Sequence, residues 1–139
     1  MKRAILAGFT GIVVWVLVVS LLDRGLRVAI DGYAAAEPKF TFTLGMMVGR
    51  LTIAALTSLV AGAAAGLIAR TSKRVPWIIG VILLVSFIPS HVALWSRFPI
   101  WYHLTFLGTL VPLVVLGSRL ARGGAAAKQV TVAIAPRSS

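Results

Sequence analysis

Arg50 is the residue least in keeping with its surroundings, because it interrupts the apolar stretch 43–69. A guanidinium is costly there unless it is paired, solvated or able to reach the membrane surface. Its type and place allow an ion pair, a contact with an anionic lipid head group or other anion, or a snorkelling contact with the head-group layer. Asp23, which ends the preceding apolar run, is the nearest carboxylate and the expected partner. His91 and His103 lie at the end of one apolar run and the start of the next. Neutral imidazole ligates both metals and haem, so two of them on adjacent helices raise that chemistry. The pattern argues against it: no helix carries His-x-x-x-His or Glu-x-x-His, and no further carboxylate lies within the runs to complete a metal shell. The histidines read as helix-end groups hydrogen-bonded near the interface, with no metal and no cofactor. With Arg50, Asp23 and Arg97 they form a candidate lipid- or ligand-binding cluster in the outer leaflet. An enzyme needs a nucleophile, an acid or base, or a metal held in mutual reach. Only His91, His103 and Asp23 qualify by type, none in a motif, so no catalytic residue is assigned.

The elements that must position these groups follow from composition. Of 139 residues, 59% are hydrophobic and 12% charged, about half the charge of a soluble domain, and a chain this short cannot hide so much apolar surface in water. Four apolar runs, at about 4–22, 43–69, 76–95 and 101–118, are each long enough to cross a bilayer as a helix. The expected fold is therefore all-α: a polytopic membrane protein, a four-transmembrane-helix antiparallel bundle over residues 1–122, with 123–139 as a flexible cytoplasmic tail. Ala34-Ala35-Ala36 looks like a cleavage site, but the first run is too long for a signal peptide and charges intervene, so the run is read as a retained span. Between the first two spans, residues 23–40 mix Gly, Pro and all three acids and read as a loop facing water. Leu26, Ile30 and Tyr33 recur there at helical spacing, which also allows a surface helix or a continuation of the first span. The tail alternates from Gln129 to Ile134 without a partner strand, and is read as mostly disordered.

Ala54, Ser58, Gly62 and Gly66 recur every four residues along the second span. Small side chains on one stripe let a neighbouring backbone approach closely, within the monomer or across a homo-oligomer. Pro89 and Pro112 each remove a helical hydrogen bond and predict kinks in the third and fourth spans. Basic residues set the orientation. Two at the amino end, three in 70–74 and four after the last span make nine, against four on the other side: Arg24, Arg27, Lys39 and Arg97. The excess places both termini in the cytoplasm, N-in/C-in, in the cell inner (plasma) membrane of a bacterium. The net charge of +11 is thus read as bilayer chemistry, with anionic lipid head groups as partners, and nucleic acid is not among them. With no cysteine, disulfides and thiolate sites are excluded.

In size alone the chain is similar to the small multidrug-resistance exporters. Those exporters carry a membrane-embedded glutamate in their first helix, whereas residues 4–22 have no ionisable side chain. Proton-coupled export is accordingly disfavoured. The function expected from sequence is a non-enzymatic structural or accessory membrane subunit, alone, as a homo-oligomer or in a larger complex. The alternative is a small transporter or lipid/anion-binding protein using the site around Arg50.

Overall fold

The computed structural model describes residues 2–69 and 72–134, with side chains over 4–69 and 72–125. All regular structure among them is helical: α1 (Lys2–Ala29), a single turn α2 (Tyr33–Ala36) followed by a 3₁₀ turn (Glu37–Lys39), α3 (Leu44–Ile68), α4 (Val75–Ala93) and α5 (Ile100–Ile134). Four of these helices, α1, α3, α4 and α5, are long and apolar enough to cross a membrane.

Local sequence explains most boundaries. Thr43 caps α3 by accepting from the Met46 amide at 3.4 Å, and Pro76 opens α4 where no helical donor is lost. α1 continues past residue 22 because nothing stops it: Asp23 and Arg27 form an (i, i+4) ion pair at 3.3 Å, and no proline follows. The chain turns at Gly32, whose φ of 77° suits a residue without a Cβ. Of the alternatives open for residues 23–40, the first part takes the continuation of the first span, and the rest is a mostly exposed turn with two buried residues. Asp23 to Ala29 are helix, and the following turn folds back as a small second core of Tyr33, Ala36 and Met46, packed by Leu26, Ile30 and Phe42. α5 likewise outruns residue 118 and continues as helix to Ile134, and the rest of the tail expected from residue 123 lies outside the described residues. The Ala-rich run after Gly124 has high helix propensity, which offsets the cost of the two glycines.

α3 is the central helix, packing on both α1 and α5, and α4 packs mainly on α5. The main core joins Ala7 and Trp15 of α1, Ala61 and Ala65 of α3, Ile79 and Leu83 of α4, and Leu110 and Val114 of α5. The small-residue stripe is where α3 and α5 meet. A Cβ on Gly62 would collide with the Val114 carbonyl, one on Gly66 would lie 2.7 Å from Ser118 Oγ, and one on Gly117 would collide with the Leu59 carbonyl. Ser58 does a different job, accepting from Trp15 Nε1 at 3.2 Å and donating to the Ala54 carbonyl at 2.7 Å. At the other side of the bundle Arg122 donates to the Ser72 carbonyl at 3.2 Å and to Ser118 Oγ at 2.7 Å, tying the α3–α4 connection to α5.

Candidate functional site

The polar residues converge at one end of the bundle, where the carboxyl end of α1, the amino-terminal half of α3, the carboxyl end of α4 and the start of α5 meet. Arg50 lies in the second turn of α3 and reaches across to two phenols. Its Nη1 donates to Tyr33 Oη at 2.8 Å, and its Nε to Tyr102 Oη at 3.3 Å. Tyr33 in turn donates to Asp23 Oδ1 at 3.0 Å, which leaves Arg50 Nη1 and Asp23 Oδ1 3.7 Å apart. The pair expected from sequence is therefore present, but much of the contact runs through a hydroxyl. Asp23 also meets Arg27, which meets Glu37 at 2.9 Å. Two cations and two carboxylates thus cancel, and the Phe42 ring covers the guanidinium at 4.9 Å from its centroid.

Tyr33 is fully buried in the turn that follows α1. Burial pushes its phenol up to about 12, and the neighbouring Arg50 charge only partly opposes that shift. The phenol is therefore a fixed hydrogen-bond group that stays protonated across the physiological range.

His91 and His103 face each other across the α4–α5 connection with their Nδ1 atoms 2.8 Å apart. Both are buried, His103 to 1% exposure, and Trp95 stacks on the His103 ring at 4.7 Å. They are more deeply enclosed than helix-end groups at the interface, because the short connection folds Trp95 and Phe98 over them. Around the pair run further rings: Phe106 lies 4.6 Å from His91, Phe87 5.1 Å from Phe106, and Trp15 4.8 Å from Phe87. Arg97 is not drawn in. It stays on the exposed connection, and its side chain makes no ion pair or hydrogen bond among the described residues.

Two cavities open among these groups. The larger, about 290 Å³, is edged by Asp23, Glu37 and Arg50 and walled by Trp15, Phe87 and Phe106. The smaller, about 130 Å³, is lined by Arg50, Tyr102, His91, His103 and Phe98, and the two share Arg50, Phe87, Tyr102 and Phe106. No family of known proteins, curated protein or solved structure matches this chain. The site must therefore be read from its own chemistry.

Among the described residues no group of three or more His, Cys, Asp or Glu side chains is disposed to hold a metal ion. What the arrangement offers is unspent hydrogen bonding. Arg50 Nη2 and the Tyr102 hydroxyl proton have no partner among the described residues, and His103 Nε2 is buried without one. Sequence reading found Arg50, Asp23 and the histidines by their polarity in apolar runs. It missed Tyr33 and Tyr102, whose rings pass for interfacial anchors. The available signals were the helical spacing of Leu26, Ile30 and Tyr33, and the adjacency of Tyr102 to His103.

Proposed function

We propose that this chain is a non-enzymatic integral membrane protein that holds a lipid or lipid-soluble ligand in the cavity beside Arg50, at the outer end of a four-helix bundle. The observation that carries the reading is a cavity of about 290 Å³ among apolar helices, walled by aromatic rings and edged by an arginine with donors to spare. Sites for small ligands have this form: mostly apolar walls with a few placed polar groups, often between the helices of a bundle. A purely structural ion-pair cluster gains nothing from such a void, since unfilled space forfeits packing contacts.

The excess of basic residues on one side supports an N-in/C-in orientation in a bacterial plasma membrane, so the Arg50 end would lie in the outer leaflet. Alternating helix ends around the site support an antiparallel bundle. The test is native mass spectrometry of the chain drawn into nanodiscs from its own membrane. One lipid or lipid-soluble molecule per chain, lost in Arg50→Ala, is expected; a bare chain, or equal retention in the variant, would overturn the reading. A second reading, an accessory subunit of a homo-oligomer or larger complex, draws on α1. That helix exposes Ile5, Phe9, Leu17 and Leu21 along its length. A protein retained at fixed stoichiometry in the same spectrum would favour it.

A further inference from the structure

We infer that the His91–His103 pair, Arg50 and Tyr102 form a subsite for an uncharged ring carbonyl, the head group of a quinone-class molecule, an assignment that rests on the ligand-holding reading above. Two ring nitrogens 2.8 Å apart must be one N–H and one lone pair. A neutral histidine pair has two ring protons, so one lies in the bridge and the other sits on an Nε2. The pair therefore presents one N–H donor and one bare nitrogen beyond the bridge. His103 Nε2 is buried and has no partner among the described residues, and the His103 side chain borders the smaller cavity. A buried polar atom without a partner calls for a group that the site is built to receive.

The rest of the lining narrows the ligand. Arg50 Nη2 and the Tyr102 hydroxyl add donors, so acceptor oxygens are favoured. Charge is already balanced, because Asp23 and Glu37 match Arg27 and Arg50. An anionic phosphate would leave one charge uncompensated at membrane depth, whereas a carbonyl would not. Shape points the same way. A cavity of about 130 Å³ is close to the roughly 150 Å³ void known to admit one benzene ring. Phe87, Phe106, Phe98 and Tyr102 supply ring faces against which a flat, lipid-soluble head group can pack. The larger cavity beside it gives room for ring substituents and the start of an alkyl tail.

The experiment is titration of the full chain, in phosphatidylcholine nanodiscs, with decylubiquinone, read by quenching of the tryptophans and by native mass spectrometry. Saturable binding of one molecule per chain is expected, weakened about tenfold or more in His103→Phe, which removes the polar atom but keeps a ring under Trp95. Ser90→Phe, at an exposed position on the rim of the smaller cavity, should block binding while leaving the helical circular dichroism and melting temperature unchanged. Quenching that does not saturate, or equal affinity in both variants, would overturn the inference. Retention of a phospholipid that is lost in Arg50→Ala, without decylubiquinone binding, would overturn the quinone assignment alone and leave the ligand-holding reading standing. No bound species of any kind would overturn both.

Discussion

At the scale of single residues, Tyr33 is the joint on which the charged cluster turns. It donates to Asp23 and accepts from Arg50, so removing the hydroxyl leaves two half-buried charged groups each short of a partner. Tyr33→Phe should cost about 1–3 kcal/mol of stability, read by denaturant unfolding in a mild detergent. The raised phenol also fixes a pH dependence. A neutral acid whose folded value lies above its unfolded value of 10 contributes stability that is complete below pH 10 and lost as the pH rises through about 12. In Tyr102→Phe, where Tyr33 is the only tyrosine left, tyrosinate absorbance should appear near pH 12 and unfolding should accompany it. Titration at the ordinary value would refute the burial. Arg50→Met tests the other side of the pair: Asp23 keeps Arg27, so the loss should fall below the 3–5 kcal/mol typical of breaking an isolated buried pair.

Among elements, the α3–α5 contact decides whether the site is assembled, since Arg50 comes from one helix and Tyr102 and His103 from the other. Gly62 and Gly117 let the two backbones touch, and no side chain fits at either place. Gly62→Ala must push the helices apart or bend one of them, an overpacking cost of about 1–3 kcal/mol, whereas Gly108→Ala meets nothing within 4 Å and should gain up to about 1 kcal/mol from helix propensity. Resistance to unfolding by sodium dodecyl sulfate should rank the two variants in that order, and equal behaviour would count against this packing. Phe40 marks the other constraint at this scale. It takes a φ of 54°, unusual for a bulky residue, where the chain turns from the 3₁₀ segment toward α3. Its ring meets Phe98 at 6.3 Å, joining the turn after α1 to the α4–α5 connection over the smaller cavity.

For the whole molecule, orientation is the testable property. The chain has no cysteine, so single cysteines report without background. In intact cells Ser96→Cys, on the exposed α4–α5 connection, should react with a membrane-impermeant maleimide, and Ser72→Cys, on the α3–α4 connection, should react only after permeabilisation. The opposite pattern would put the Arg50 end in the cytoplasm and remove the outer-leaflet site.

Sequence alone determined the helical class and the four long apolar helices, because length and hydropathy are properties of contiguous residues. It also marked Arg50, Asp23, His91 and His103, since a polar side chain in an apolar run stands out wherever the run is placed. What it left undecided needed the third dimension. Asp23 holds Arg27 within its own helix, yet Arg50 largely through a phenol ten residues further on, and no local pattern distinguishes Tyr33 as a bridge from Tyr33 as a surface anchor. Tyr33 and Ala36 are buried within an otherwise exposed turn because Met46 and Phe42 return to cover them, a consequence of where α3 begins. The histidine pair forms where α4 and α5 meet, the two cations and two carboxylates balance where α1 and the turn after it meet α3, and the cavities lie between these helices. Tertiary packing decided those, since hydrogen bonds and voids depend on which surfaces face each other, and spacing along a single chain does not specify that.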